Sequence, residues 1–538
     1  MEPVGFEPDW SDKPRAQKFY PGIASFPLPV PNTTAPSPTR LRDGLFGPEP
    51  MAAAGRDPAR FTLPTLSGML HESYGETARR LAVNANPDFR FLHAYGNAIW
   101  SRGTASGGGL YPVSIYWVSG ASGPVRPGVH YYSARHHAMQ PLLTGDVSAL
   151  VREAVGDREL AGDTDQFLVL GIKFWQNAFK YNSFSYHAVT MDVGTLVQTW
   201  RMWAHARGLP LRPILWFDEK RLGELLNVRG EEEGIFAVVP LHWEGSAAPA
   251  PGTVPDGVRA RAADRERSRR TLTFPTLRAV HEATARDAAR RPPRAALATA
   301  AVAPAPERGG RIALPAPEPL NGSVDAALRA RRSSFGRFVA RPALDPGRLG
   351  TVLAGATAAV TFPCDVTDDA LPAALAKMYV FVNHVEGIPP GSYEYDPQDH
   401  SLLRISGNPP GEFLERNYFL NNYSLDQTAA VIVPTARPAA VHHALGDRGY
   451  RLVNAAIGAV AQAAYTTCAA TGTGCGAALG FDNVSYIEEL GLDGSDEVPL
   501  LIVMVGNEHP APANYRYEID AHHIDAHRTD AHAIERDL

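Results

Sequence analysis

The chain has 538 residues but only three cysteines, Cys364, Cys468 and Cys475. No two of them are spaced as CxxC, so neither a zinc ribbon nor a disulfide framework is indicated. Lysine is scarce too: Lys13, Lys18, Lys173, Lys180, Lys220 and Lys377 are six of 51 basic residues. With abundant Ala and Pro, that arginine bias points to a high-GC genome rather than to a function. The net charge of -6 gives no basic footprint for nucleic acid. No apolar run approaches the ~20 residues of a membrane span. The opening "MEPVGFEPDWSDKPR" lacks the charged-then-apolar profile of a secretory signal. The expectation is a cytoplasmic protein with no membrane and no nucleic-acid partner.

What is present is a globular composition, 44% hydrophobic and 20% charged, over a length that calls for two or more domains. A repeat decides how they are arranged. "GVHYYSARHHAM" from Gly128 returns as "GSYEYDPQDHSL" from Gly391, setting Tyr132 on Tyr395 and His137 on His400. "SYHAVTMDVGTLVQTW" (185–200) then lies over "GYRLVNAAIGAVAQAA" (449–464), one residue further offset. That register pairs Tyr186 with Tyr450, Gly194 with Gly458, Gln198 with Gln462 and Asp218 with Asp482. An offset held within one residue over about a hundred positions marks a tandem duplication. Each copy reads as a tyrosine-bearing strand, a hairpin-like stretch, a long helix and a closing buried strand. The expected class is α+β, two tandem domains forming a pseudo-dimer, each a mixed sheet flanked by helices. The expected division is a Pro-rich segment (1–60), a first domain (61–243), a Pro/Ala/Arg-rich linker with one helix (244–320), a second domain (321–515) and a His-containing tail (516–538).

The copies differ where chemistry would sit. In the first, "SGGGLYPVSIYWV" places Gly107, Gly108 and Gly109 directly before a strand. A glycine run costs backbone entropy, so it is either loose linkage or a close approach of backbone to a flat ligand. The second copy reads "DALPAAL" there and has no glycine run. It carries instead Arg332, Ser333, Ser334 and Arg337, a set that either grips a phosphate or forms a solvated basic turn. It also carries the Gly-rich "ATGTGCGAALGF", where the first copy has "ARGLPLRPILWF". A flat, phosphorylated ligand lying between the halves accounts for this complementary loss.

The pieces "SGGGLYPVSIYWV", "GVHYYSARHHAM", "FKYNSFSYHAVTMDVGTLVQ", "RRSSFGRF", "TGTGCGAALGFDN" and "EELGLDGSDEVPLLIVMVG" together resemble the nitroreductase-like FMN family. Within it they are most similar to the SagB-type azoline dehydrogenases, here in tandem-domain form. The resemblance implies two nitroreductase-like domains with FMN at their interface. It implies that Arg332, Ser334 and Arg337, with Ser333 beside them, hold the phosphate. Gly472, Gly474 and Gly476 would lie along one edge of the ring system, and Ser106, Gly107 and Gly108 would close from the first copy. It further singles out Lys180-Tyr181 as the catalytic pair, present once because the second copy has Ala444-Leu445. Azoline oxidation removes a proton and a hydride, and a partly desolvated lysine can serve as the base with tyrosine as relay or acid. The implied function is FMN-dependent oxidation of thiazolines or oxazolines to thiazoles or oxazoles on a ribosomally made precursor peptide, with one FMN per chain. The azoline-bearing peptide and a cyclodehydratase complex are the implied partners.

Two other readings compete: an NAD(P)H-dependent nitro- or quinone reductase, and a flavin-free peptide-binding scaffold of a modifying complex. The tail repeats Asp-Ala-His at His522, His527 and His532. A five-residue period does not align three imidazoles on one helix face, so no metal is expected. Cys475 is expected to be a packed thiol.

Overall fold

The computed structural model describes residues 6–30, 39–47, 57–82, 99–247, 257–303, 310–335, 338–368, 370, 372–509 and 514–518. Arg337 and the tail histidines lie outside them. The first half contributes β1 (Phe26–Pro27), β2 (Ala78–Ala82), β3 (Ile99–Ser101), β4 (Val113–Ser119), β5 (Gly128–Ser133), β6 (Ala138–Thr144), β7 (Gln166–Lys173) and β8 (Glu233–Pro240). The second contributes β9 (Arg311–Ala313), β10 (Phe338–Val339), β11 (Lys377–Val382), β12 (Gly391–Asp396), β13 (Ser401–Ser406), β14 (Ala430–Ala436), β15 (Gly474–Ala478), β16 (Val498–Pro499), β17 (Ile502–Glu508) and β18 (Asn514–Glu518).

One sheet runs β1-β6-β5-β4-β7-β8 and the other β10-β17-β14-β11-β12-β13-β9, with β15 beside β17. The run β6-β5-β4-β7-β8 is repeated as β13-β12-β11-β14-β17, so the duplication read from sequence is a duplication of topology. The α+β class stands, but the named strands pair antiparallel rather than as mixed sheets. Short hairpin connections join β4 to β5 to β6 and β11 to β12 to β13, and a hairpin can only join antiparallel strands. Every residue of β4 and of β11 is buried, which explains why both read as continuous apolar runs instead of alternating ones.

The repeat reaches individual side chains. The Tyr132 hydroxyl meets His137 Nδ1 at 2.9 Å, and the Tyr395 hydroxyl meets His400 Nδ1 at 2.8 Å. Both histidines sit in left-handed turns, with φ 43° and 46°. Asp218 and Asp482 both cap the N-terminus of the helix that follows them.

Between the sheets the Ser185–His205 and Gly449–Thr471 helices pack together and are buried along most of their length. By length and composition the second is apolar enough to cross a membrane, contrary to the expectation that no such run exists, but 94% of its apolar window is buried within this fold. Its many alanines raise the window's hydropathy without forming the bulky run that was sought.

The stretch between the copies packs as well. Leu277, His281 and Thr284 of the Pro275–Arg286 helix and Leu297 of the following 3-10 turn are buried. The N-terminal segment is tied down too, since the buried Lys18 binds Glu233 and the Tyr116 hydroxyl. In a third sheet, β18 pairs with β2, bringing the end of the second copy onto the first.

Candidate functional site

Gly107–Gly109 form a single 3-10 turn, with Gly108 and Gly109 at φ 63° and 66°. Asp192, from the first long helix, holds the turn. Its carboxylate accepts from Ser106 Oγ at 2.7 Å and from the Gly107 amide at 2.8 Å. Ser106 Oγ in turn accepts from the Tyr111 amide at 2.9 Å. Burial pushes the Asp192 carboxyl up to about 7, against the pull of those two donors.

Lys180 and Tyr181 end the short Trp175–Tyr181 helix, which Asn182 stops by turning left-handed at φ 47°. Both side chains reach the glycine turn. A Cβ on Gly108 would lie 3.0 Å from Lys180 Nζ and closer still to the Tyr181 hydroxyl. Glycine is needed at 108 for its positive φ and because the pair fills the space of a side chain. The Lys180 ammonium stands 4.7 Å from the centre of the Tyr181 ring. Ser106, Gly107, Gly108, Lys180 and Tyr181 are thus brought together by the fold, from segments about 70 residues apart in the chain.

On the other half, Arg332, Ser333 and Ser334 lie beside β15. The Ser334 amide donates to the Cys475 carbonyl and its hydroxyl accepts from the Cys475 amide, each at 2.8 Å. Ser333 Oγ meets the Tyr465 hydroxyl at 3.0 Å. Arg332 forks onto the Glu508 carboxylate, one arm at 2.7 Å and the other shorter.

The late glycine-rich stretch is not a loop from Gly474 onward but strand β15, paired with β17. Its glycines have partners within the protein. A Cβ at Gly474 would meet Glu508 Cγ at 2.5 Å, and one at Gly476 would meet the Tyr423 ring at 2.6 Å. Gly472 is the left-handed cap of the second long helix, at φ 68°. Cys475 is buried, as expected of a packed thiol.

The two half-sites meet over one helix. Gln462 accepts from the Ala105 amide at 2.9 Å and donates to the Gly103 carbonyl at 3.1 Å. Tyr465, which holds Ser333, follows it within one turn. Arg331 closes the junction by donating to the Arg102 carbonyl at 2.9 and 3.3 Å. The glycine turn of one copy and the Arg-Ser cluster of the other therefore share a support. Sequence reasoning missed Asp192, Gln462, Tyr465 and Glu508. Asp192 left a trace, being the only carboxylate in its helix, and Gln462 appeared only as a repeat match.

The pseudo-symmetric location is built differently. Arg212, in the position that Gly476 has in the other copy, donates to the carbonyls of Cys364 and Thr367, at 2.8 Å from Nε to the first and 2.7 Å to the second. Arg291 binds the buried Asp365 at 2.9 Å, and that carboxylate also accepts from the Leu215 and Trp216 amides. Here the Arg212 guanidinium stands where the other copy has Gly476, next to the Arg291–Asp365 ion pair.

Residues 328–507 match the Nitroreductase family. The matched stretch lies within the second copy and is about a third of the chain. A Methanocaldococcus jannaschii protein that bears a nitroreductase name is 30% identical over 132 residues, 24% of this chain and 65% of that protein's own length. The crystal structure of a protein from Anabaena variabilis, also bearing a nitroreductase name, aligns with TM-score 0.67 over 94% of this chain and 96% of its own, at 19% identity. That likeness shows the fold: the nitroreductase fold extends over both copies. The Escherichia coli microcin synthetase McbBCD complex with truncated pro-MccB17 aligns over 44% of this chain and 77% of that chain, at 19% identity and TM-score 0.27, too weak a likeness to carry an argument.

Proposed function

We propose that the chain is an FMN-dependent dehydrogenase that oxidises thiazoline or oxazoline rings to thiazoles or oxazoles on a ribosomally made precursor peptide. The observation that carries this reading is the convergence of Lys180 and Tyr181 on the Gly108 turn, with Gln462 and Arg331 joining that turn to the Arg-Ser cluster.

The donor set fits a flavin phosphate. Arg332 already forks a carboxylate, which is the geometry in which it would take a phosphate, and Ser333 adds a hydroxyl beside it. Arg332, Ser333 and Ser334 are the residues assigned to the phosphate, with Arg337 completing the set. Gly472, Gly474 and Gly476 from the second copy, and Ser106, Gly107 and Gly108 from the first, are the residues that would hold the rest of the flavin. FMN, when bound, supplies the two-electron acceptor.

The chain supplies the rest. Lys180 takes the proton from the ring carbon next to the carbonyl, while Tyr181, beside it on the glycine turn, relays the proton outward. The hydride leaves the neighbouring ring carbon, so one proton and one hydride account for the new double bond. Asp192 keeps the glycine turn against the pair. The filled pseudo-symmetric location supports one FMN per chain. The azoline itself is the product of a cyclodehydratase, the class of partner this reading requires.

The test is to purify the chain, measure released FMN per chain, and follow an azoline peptide by mass spectrometry. The expected result is about one FMN per chain and loss of two hydrogens per ring, abolished in Lys180→Ala. An unchanged azoline, together with rapid NADPH oxidation on nitroarenes or quinones, would replace this reading with a reductase.

A further inference from the structure

A cleft of about 440 Å³ opens beside the glycine turn. Gly109 and Leu110 form part of its wall, immediately after Gly108, and Phe179 lies there one residue before Lys180. The facing wall is the N-terminal segment around residues 10–19. Lys180 and Tyr181 do not line the cleft themselves, but its wall residues Gly109 and Phe179 are chain neighbours of Gly108, which the pair contacts, and of Lys180.

Its charge is one-sided. Lys13, Arg15, Lys18, Arg135 and Arg267 line it, Lys18 being paired with the buried Glu233, and no carboxylate lines it, in a protein of net charge -6. Carboxylates neighbouring the lining residues in the chain are turned to other partners: Asp9 accepts from the Ser11 amide and hydroxyl. Asp12 accepts from the Arg269 and Arg270 amides, Asp264 from the Phe19 amide and Lys173, and Glu266 from the Arg267 and Ser268 amides and Lys173. Arg135 has a contact with Glu76, at the long distance of 3.9 Å. Arg15 stacks over Phe19 at 4.7 Å. An apolar surface lies between the cations: Trp10, 54% exposed, meets Phe179 edge-on at 5.0 Å between ring centres.

Gly109 and Leu110 offer this cleft no free amides. The Gly109 and Leu110 amides donate to the Ser106 and Gly107 carbonyls, and the Leu110 and Tyr111 carbonyls are taken by Gln176. A compact phosphate group would look for clustered amides or one arginine fork. Here recognition falls to the four cations other than Lys18 and to the Trp10, Phe19 and Phe179 rings, which suits carboxylates spaced along an extended chain with apolar side chains between them.

We propose that this cleft binds an acidic, partly apolar segment of a polypeptide substrate and so presents a neighbouring ring to Lys180 and Tyr181. The presentation of a ring rests on the dehydrogenase reading; the binding of the acidic segment does not.

The experiment uses the full chain and two fluorescein-labelled peptides, one of repeated Glu-Leu-Glu-Gly and one with Lys in place of Glu, read by fluorescence anisotropy. The expected result is salt-sensitive binding of the acidic peptide only, weakened at least tenfold in the double variant K13E/R267E. Flavin content and circular dichroism should not change, and R229E, at an exposed arginine outside the cleft, should bind as the parent does. Equal binding of the two peptides, or full affinity in the double variant, would overturn the proposal. So would displacement of the acidic peptide by stoichiometric NADPH, which would make the cleft a nucleotide site. A short azoline peptide without acidic residues separates the two readings. Its failure to be oxidised counts against dehydrogenation, while the anisotropy result alone decides the cleft.

Discussion

Gly194 packs directly on the backbone of Ala455, and Gly458 repeats that contact on Met191. A Cβ at Gly194 would lie 2.6 Å from Ala455 Cα, and one at Gly458 would lie 3.0 Å from Met191 Cα. The two pairs are related by the 264-residue repeat, so they mark the pseudo-twofold centre at which the long helices cross. A backbone atom cannot rotate away as a side chain can. Gly194→Val should cost roughly 3 kcal/mol or more through overpacking at a rigid contact. Thermal unfolding followed by circular dichroism checks this, and an unchanged midpoint would show that the helices can separate freely.

At the site, Gly108→Ala places a methyl where Lys180 and Tyr181 stand and asks a non-glycine residue to hold φ 63°. Turnover of an azoline peptide should fall at least tenfold while FMN content stays near that of the parent. Lys180→Ala should show the same separation with a deeper loss. If either variant loses flavin and turnover together, the pair holds the cofactor instead of serving the chemistry.

Arg332 and Glu508 are the opposite case, a pair in which one partner must yield. If Arg332 grips the phosphate, Arg332→Ala should release FMN, whereas Glu508→Ala should retain it, because the guanidinium is then free for the anion. Equilibrium dialysis against FMN distinguishes them. Equal retention in both variants would remove Arg332 from the phosphate site.

Asp192 makes the glycine turn sensitive to pH. Its folded value of about 7 lies above the ordinary 3.8, so between those values the folded protein keeps a proton that the unfolded chain has lost. This group's contribution to stability therefore declines as pH rises from about 4 to about 7 and is level above that. Asp192→Asn should flatten the stability profile across this window, as measured by urea unfolding at a series of pH values. A profile identical to the parent would mean that Asp192 ionises as an ordinary carboxylate.

Glu219 titrates in the other direction. Burial opposes its charge, but Arg451 and Arg448 override that and hold it at about 2, below the ordinary 4.5. Its contribution is present above about 4.5 and is lost as pH falls toward 2. Glu219→Gln leaves both guanidiniums buried without their carboxylate, which should cost about 3–5 kcal/mol near neutral pH. The same unfolding series checks it, and a loss below 1 kcal/mol would show that water or Tyr186 compensates the arginines.

Much of this was written in the chain in order. The duplication, the α+β class, the Tyr-His pairs at 132/137 and 395/400 and the two helix-capping aspartates follow from spacing, because a repeated local sequence repeats its local hydrogen bonds. Arg332-Ser333-Ser334 stood out by residue type, and Lys180-Tyr181 was picked out by the family resemblance. What linear order could not supply was their surroundings. That Gly108 makes room for Lys180 and Tyr181, that Gly476 makes room for Tyr423, and that Glu508 occupies Arg332 are contacts between segments about 50 to 180 residues apart. The cationic cleft likewise exists only because residues 10–19 fold back beside Gly109 and Phe179. Local backbone and side-chain chemistry is encoded by neighbours in sequence, whereas the roles of a glycine or an arginine depend on what packing brings within a few ångströms of it, and that was decided by the tertiary structure alone.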